Sequence, residues 1–581
     1  MAVRPAIVTF AASGSETAQR IASAIGGEII ADAKASLPRL FAEGRPVIGI
    51  CAAGILIRLL APHLGDKRDE PPVIVVSQDG THVVPLLGGH RGANRLAREI
   101  AEILGGSASL TTASDSRFTR ALDEPPDGYV LGNSEDAKPA MAALLKGESI
   151  ALSGAADWIA DAGYPIDPTG NVRITVTEKR SGEGLLIYPR TLVAGVGSER
   201  GVHADEIIGL IDSTLANAGL SPLALAAIAS IDIKADEAAL HRAAAHFGVP
   251  LCLFAAAELS SEPVPNPSSI VEAETGTASV AEAAAMKAGE LLVPKRKSKR
   301  ATCAIGISPG PLDVAHFGRA PGLLHVVGIG PGDAASRTAS AVAALTSSAH
   351  WIGYGLYLDL IADLAFGQDQ HRFLLGDEEA RVRHALELAA TGKTVALVCS
   401  GDAQIYAMGA LVYELLDAEG VRAVSAAARR VAVELHPGIS AFQAASAAAG
   451  ALIGHDFCCI SLSDLLTQRE DILRRLRGAA AADFVTALYN PRSERRLDLL
   501  DKAKAIFEAE RPPGTPVIVA SNLGRAEEKV TITTLAHFDP TMVDMLTIVL
   551  IGASTSRVLP RGDGRTYAYT PRGYERKVAP A

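Results

Sequence analysis

LLHVVGIGPGD, residues Leu323–Asp333, is the stretch that decides the fold of the C-terminal half. The strand Leu324–Val327 runs into Gly328, Gly330, Pro331 and Gly332, and from Thr338 onward the composition is helical. Strand, glycine turn and helix in that order make the βα unit of a parallel sheet. Glycine at the C-terminal end of a strand lets a ligand reach backbone that a side chain would cover. The spacing excludes two common turns. GxGPGD is not GxGxxG, because Pro331 and Gly332 stand where that motif starts its helix, and no Gly-Lys-Ser/Thr follows as a phosphate loop requires. By itself the turn reads equally as a ligand loop or an ordinary βα connection.

Three more turns of the same build follow. In TVALVCSGDAQIYAMGALVYELL (Thr394–Leu416), strand Val395–Cys399 ends in Ser400-Gly401-Asp402 before an apolar-periodic helix. A carboxylate there suits a ligand hydroxyl or amine, and equally suits a helix N-cap. In VAVELHPGISAFQAASAAAG (Val431–Gly450), His436-Pro437-Gly438 leads to Ser440 and a helix of small residues. Ser440 is an N-cap candidate, and the small-residue face offers a flat ring close approach to the backbone. In ADFVTALYNPRSERRLDLL (Ala482–Leu500), a strand ends at Tyr489-Asn490-Pro491, and Arg492, Arg495 and Arg496 open the next helix. Arginines there either lie solvated or hold carboxylates bidentately.

Taken together, GxGPGD, SGD, PGIS and a strand ending in YN resemble the tetrapyrrole methyltransferase family in order and spacing. GYGLYLDLI (Gly353–Ile361), GHDFCCISLSDLLT (Gly454–Thr467), ALYNPRSERR (Ala487–Arg496) and YTPRGY (Tyr569–Tyr574) resemble its precorrin-3B, or cobalt-factor III, C17-methyltransferase branch. The likeness covers Leu323–Tyr574. It implies a two-lobed (class III) α/β methyltransferase with S-adenosyl-L-methionine folded into the cleft between the lobes. It further implies that Pro331 lines that cleft, that Ser400, Gly401 and Asp402 meet the methionine part with Ile405 beside them, and that Ser440 and Ala441 meet the adenosyl group. Asn490 and Thr533 carry over to the cofactor as well. Arg492, Arg495 and Arg496 are then expected at the substrate. Ring contraction involves acyl migration, for which His455 and Asp456 are acid–base candidates by position. Where the family has SGDP, this chain has Ala403, so an altered loop stiffness is expected.

The N-terminal half alternates short apolar runs (Ala6–Phe10, Val47–Cys51, Val73–Val76) with amphipathic segments such as Asn94–Leu104, which reads as βαβ units. VPLLGGHRGANRLA (Val84–Ala97) carries His90, Arg91 and Asn94 on a glycine-rich turn into a helix. Such a turn binds an anion at the helix N-terminus or simply connects strand to helix. GILIRLLAPHLGDKRDEPPVIVVSQDG (Gly54–Gly80), that turn and LTTASD (Leu110–Asp115) are similar to the N-terminal domain of the cobalt-precorrin-5A hydrolase family. GVGSERG (Gly195–Gly201), ASIDIKADE (Ala229–Glu237) and LLVPKRK (Leu291–Lys297) are similar to its C-terminal domain. That family opens a corrinoid lactone and releases acetaldehyde. No catalytic set carries over from that family; His90, Arg91 and Asn94 are the substrate-site candidates, Glu199 and Lys234 join them as the first residues to mutate, and SERG replaces the basic or polar variants associated with that position.

The expected architecture is therefore multidomain α/β. It runs as a hydrolase-like N-terminal domain (1–125), a middle region (126–188), a hydrolase-like C-terminal domain (189–307), a linker (308–322), a methyltransferase (323–561) and a tail (562–581). A length of 581 residues accommodates about three to five domains. A net charge of −10 argues against a nucleic-acid footprint, and the basic run PKRKSKR (Pro294–Arg300) has no interleaved aromatics to stack bases. That run reads as a solvated segment or as a grip on a polyanion's carboxylates. Cys51, Cys252, Cys303, Cys399, Cys458 and Cys459 show neither CxxC nor Cys/His ligand spacing, so free thiols and no metal are expected. The longest charge-free stretch, Thr338–Leu358, is too polar to span a membrane. The expected protein is a cytoplasmic corrin-pathway enzyme with a tetrapyrrole substrate. A homodimer, usual in the family, and channelling to other pathway enzymes are expected. The alternative for the N-terminal half is a non-catalytic corrinoid-binding or channelling module.

Overall fold

A computed structural model describes residues 4–10, 14–30, 32–66, 70–110, 117–492 and 498–574, with the side chain of His90 outside that description. The chain forms two compact units, Met1–Ala320 and Pro321–Ala581. Among the described residues, no helix is long and apolar enough to cross a membrane. All six cysteines are free thiols.

The first unit holds three sheets. Glu28–Ile30, Ala6–Thr9, Val47–Ile50, Val73–Val76, His82–Leu87 and Ser107–Ala108 lie side by side in that order, antiparallel only where Val73–Val76 meets His82–Leu87. The strands Val47–Ile50 and Val73–Val76 are buried along their whole length. Helices therefore cover both faces, as continuous apolar runs require. Residues 126–188 are less irregular than their Pro and Gly punctuation suggests. They contribute the four-stranded sheet Tyr129–Leu131, Leu185–Pro189, Val172–Val176 and Ile150–Ser153. Its strands of three to five residues are too short to display a period in sequence.

The third sheet runs Leu251–Phe254, Leu225–Ile231, Leu192–Ser198, Ala301–Ile307 and Glu290–Lys297. The first three strands are parallel and the last two antiparallel. The basic run Pro294–Arg300 ends the edge strand and turns the hairpin into Ala301–Ile307. Residues 308–320, read from composition as part of a linker, pack along this sheet. Ser308 N donates to Thr191 O, Leu312 N to Arg190 O, and Arg319 exchanges two backbone hydrogen bonds with Leu253. Phe317 is buried against Phe254, with ring centroids 5.1 Å apart.

In the second unit the deciding stretch is the strand next to one edge of the sheet. Asp369–Phe373, His350–Tyr354, Thr394–Cys399, Leu323–Gly328 and Ala432–His436 form an all-parallel sheet in that order. Parallel strands end on the same edge, so the turns after Cys399, Gly328 and His436 emerge side by side. The other lobe is the mixed sheet Phe457–Ser461, Val485–Tyr489, Thr547–Ile551, Pro516–Ser521 and Lys529–Thr534. The helix Ala441–Ala449 passes into this second lobe, where Phe442, Ala445 and Ala449 are buried with Val485, Ile518 and Leu550. Its small residues thus serve close packing on a sheet, and Ala441 is the residue of this helix that reaches the cleft described below.

Candidate functional site

The three adjacent turns are tied to one another by backbone. Gly330 and Gly401 form an antiparallel bridge, with N–H to O distances of 3.1 and 2.8 Å. Both have φ in the left-handed region, +77° and +70°, where glycine carries no steric cost. Asp402 fastens the third turn. Its Oδ1 accepts Gln404 N at 2.8 Å and Ile405 N at 3.3 Å, and its Oδ2 accepts Gly438 N at 3.1 Å. Asp402 is thus neither a helix cap nor a free carboxylate. The helix expected directly after it starts at Gly409, and Ala403–Met408 form an irregular turn in which Ala403 O accepts Gly409 N. Ala403, at the position of the family's proline, is fully buried in the sheet core.

Gly438 is required by proximity. A Cβ there would press on the Gly401 carbonyl oxygen and lie 2.6 Å from that of Gly328. Ser440 follows as the N-cap of Ala441–Ala449 and forms a capping box with Gln443. Its Oγ is 2.5 Å from Tyr489 Oη, which also accepts Phe442 N at 3.3 Å. Burial pushes the Tyr489 phenol up to about 12, with the Ser440 hydrogen bond opposing the shift. Burial also raises Tyr406 and Tyr357 above the ordinary tyrosine value. All three phenols stay protonated near neutral pH, and Tyr406 Oη donates to Cys459 O at 2.9 Å.

These turns form one wall of a cleft enclosing about 890 Å³, part of it open to solvent. Pro331, Ser400, Gly401, Asp402, Ile405, Tyr406, Ser440 and Ala441 line one side. Tyr489, Asn490, Ala520, Asn522, Leu523, Arg525 and Met545–Ile548 line the other. Tyr406, Asn490 and Asn522 have φ of +51°, +48° and +52°. Non-glycine residues in that region cost about 1–3 kcal/mol each and concentrate at functional sites. Arg525 Nε is buried without a hydrogen-bond partner among the described residues, so the cleft contains a cationic group suited to an anion.

The sequence candidates divide cleanly. Pro331, Ser400, Gly401, Asp402, Ile405, Ser440, Ala441 and Asn490 meet at the cleft. Thr533 does not; it lies on the edge strand Lys529–Thr534, paired with Val517. His455 and Asp456 pair with each other at 3.2 Å, are 54% and 75% exposed, and do not line the cleft. Arg492 is spent on the Pro540 carbonyl at 2.6 Å, and Arg495 and Arg496 lie outside the described residues. Tyr357, Tyr406, Asn522 and Arg525 were not singled out from sequence. Only Asn522, in the turn Ser521-Asn522-Leu523-Gly524 after a strand, carries a signal that could have found it.

In the first unit, Gly88 and Gly92, both at positive φ, bracket the short helical turn Gly89–Arg91 ahead of helix Ala93–Leu104. Arg91 is exposed and Asn94 is buried at that helix start. Glu199 and Lys234 lie on a different sheet, after the adjacent parallel strands Leu192–Ser198 and Leu225–Ile231. Arg200 joins their loops by donating to Ile233 O and Asp236, both at 2.5 Å. Arg300 Nε holds Glu199 at 2.9 Å. Burial, then the nearby Arg200, lowers the Lys234 pKa. The structure therefore brings Glu199 and Lys234 to one strand-end cluster, whereas Arg91 and Asn94 belong to another sheet.

The pattern of the tetrapyrrole (corrin/porphyrin) methylases matches residues 323–539. A precorrin-3B C(17)-methyltransferase of Sinorhizobium sp is 39% identical over 255 residues, 44% of this chain and 97% of the relative. The chain belongs to the tetrapyrrole methylase family. Before the methylase segment, the cobalamin synthesis G N-terminal and C-terminus families match residues 35–115 and 192–306. A cobalt-precorrin-5A hydrolase of Priestia megaterium is 31% identical over 303 residues, 47% of this chain and 81% of the relative. A cobalt-factor III methyltransferase of the same organism is 39% identical over 261 residues, and the chain spans 46% of its length. The methylase cleft thus sits in a chain that also carries cobalamin synthesis G segments.

Proposed function

We propose that the methylase unit transfers the methyl group of S-adenosyl-L-methionine to C17 of precorrin-3B or of cobalt-factor III, with contraction of the macrocycle. The observation that carries this reading is the seam of Gly330, Gly401, Asp402 and Gly438 at one sheet edge, facing Tyr489 and Asn490. The cleft fits the cofactor chemically. It offers backbone at Gly401, hydroxyls at Ser400, Ser440 and Tyr489, and apolar walls at Ile405, Leu523 and Ile548. Bound there, the cofactor supplies a sulfonium methyl for an in-line attack by carbon, a step that needs positioning more than a strong base. Asp402 fixes the relative placement of two turns, the Tyr489 and Ser440 hydroxyls orient what lies against them, and the apolar walls exclude water.

Arg525 takes a substrate carboxylate. Arg525→Gln is expected to raise the KM for the tetrapyrrole about tenfold or more, since hydrogen bonds to charged groups contribute about 1.5–3 kcal/mol. The KM for S-adenosyl-L-methionine should stay near its original value. Steady-state kinetics with each substrate varied in turn checks this.

The first unit opens the lactone of a ring-contracted corrinoid, the chemistry that its similarity to a hydrolase supports. Glu199 and Lys234, on loops that Arg200 joins, are the residues assigned to this step. The test incubates the whole chain with precorrin-3B, cobalt-factor III and uroporphyrinogen III in turn, then with cobalt-precorrin-5A, and reads products by mass spectrometry. A methylated product from either of the first two and acetaldehyde from the last are expected. Methylation of uroporphyrinogen alone would overturn the first assignment. Bound but unopened lactone would make the first unit a binding module.

A further inference from the structure

The strand Leu323–Gly328 and its neighbour, the edge strand Ala432–His436, are paired so that His325 stands opposite Glu434. Alternate residues of a strand share a face, so His436 projects on the same side as Glu434. Three side chains meet there. His325 Nδ1 is 3.0 Å from His436 Nε2 and 3.4 Å from Glu434 Oε2, and those two atoms are 3.8 Å apart. Among the described residues, this is the one set of three His, Cys, Asp or Glu side chains whose ligand atoms all lie within 4.8 Å of one another.

The triangle has the dimensions of a coordination face. A tetrahedral zinc ion with bonds of about 2.0–2.1 Å holds neighbouring ligand atoms about 3.3–3.4 Å apart, and the three separations bracket that value. The second nitrogen of His436 is also committed, with Nδ1 2.6 Å from Ser340 Oγ. Outer partners of this kind fix the orientation of a ligating imidazole. His325 is buried, while the Glu434 side chain is 58% exposed, so the cluster opens to solvent through the carboxylate.

We propose that His325, Glu434 and His436 form a three-ligand site for a divalent cation of the zinc class, with a fourth coordination position left for water. Two imidazoles and one carboxylate are a donor set that zinc, cobalt(II) and nickel(II) accept. The ion ties the edge strand to its neighbour Leu323–Gly328 just before Pro437-Gly438, the turn that Asp402 holds at the cleft. Metal binding therefore stabilises this wall of the cleft, whichever tetrapyrrole is the substrate.

A second histidine row, from two strands of the same sheet and the helix Glu378–Ala389, provides an internal control. His371 Nε2 is 3.4 Å from His350 Nδ1, and His371 Nδ1 is 3.0 Å from His384 Nε2. These contacts use opposite sides of the His371 ring, so the row does not converge on one point.

The test titrates zinc or cobalt(II) into the chelator-treated full chain by calorimetry and visible absorption, with thermal unfolding in parallel. One equivalent is expected at the site, with d–d bands of low-symmetry cobalt(II) and a Tm that rises with zinc concentration. Glu434→Gln and His436→Gln should each weaken binding about 100-fold or more. Ser340→Ala should weaken it about tenfold, and His371→Gln should leave it unchanged. Glu434→Gln changes an exposed side chain, so its metal-free Tm should match the parent and separate lost binding from lost folding. No bound metal, binding that survives both ligand substitutions, or binding lost in His371→Gln alone would overturn the site.

Discussion

Asp402→Ala is expected to weaken S-adenosyl-L-methionine binding, and to lower kcat/KM for methyl transfer, about 100-fold or more. The loss comes from geometry rather than from a missing contact to the ligand. The carboxylate accepts three backbone N–H groups, those of Gln404, Ile405 and Gly438, and the residue is only 7% exposed. Each buried amide left without a partner costs about 1–3 kcal/mol. Two such losses amount to about 100-fold or more at 1.4 kcal/mol per tenfold. Part of that penalty is relieved by letting the Gly438 turn drift from the Gly330–Gly401 bridge, which opens the cofactor wall. Asp402→Asn keeps one acceptor oxygen and should lose less than alanine does. Calorimetric binding and steady-state kinetics on both variants check the order; equal affinities in all three proteins would refute it.

The second large effect is expected from Gly438→Ala, which should destabilise the methylase unit by about 3 kcal/mol and abolish turnover. The added methyl meets the carbonyl oxygens of Gly401 and Gly328. Both belong to backbone fixed within or beside a buried parallel strand. Overpacking of a filled interior costs about 1–3 kcal/mol when side chains can shift, and backbone yields less readily. Gly478 is the contrasting position. It lies within the helix Arg469–Ala481, and a Cβ there meets nothing within 4 Å. Gly478→Ala should therefore stabilise by about 0.5–1 kcal/mol. Urea unfolding of the pair, followed by a probe in the second unit, separates the two signs.

Much of the cleft was readable because each piece sits where a strand stops. Leu324–Val327 and Val395–Cys399 announce themselves as strands, and the glycines after them mark the turns. What sequence does not carry is which turns are neighbours. The 3.1 Å bond from Gly438 N to Asp402 crosses 36 residues and appears only when Leu323–Gly328 lies between the other two strands. The strained backbone of Tyr406 and Asn522 is invisible for the same reason, since no local signal puts φ positive at a tyrosine. Thr533 fails to reach the cleft because its strand is the outer one of its sheet, with Pro516–Ser521 between it and Thr547–Ile551. His455 and Asp456 are adjacent in sequence and simply pair outside. The His325, Glu434 and His436 cluster has no ligand spacing to read, because sheet register assembles it across about a hundred residues.

Hydrophobic order explains the legibility of the fold in the same terms. Fully buried strands such as Val73–Val76 and Leu251–Phe254 show as unbroken apolar runs. The short strands of residues 126–188 alternate in burial over too few positions to show a period.

The most direct test of the account is where a labelled methyl group goes. The whole chain, incubated with S-adenosyl-L-methionine carrying a ¹³C methyl group and with precorrin-3B or cobalt-factor III, is predicted to give a ring-contracted product with the label at C17 in its NMR spectrum. A tetrapyrrole recovered without label, or labelled at any other carbon, would contradict the account.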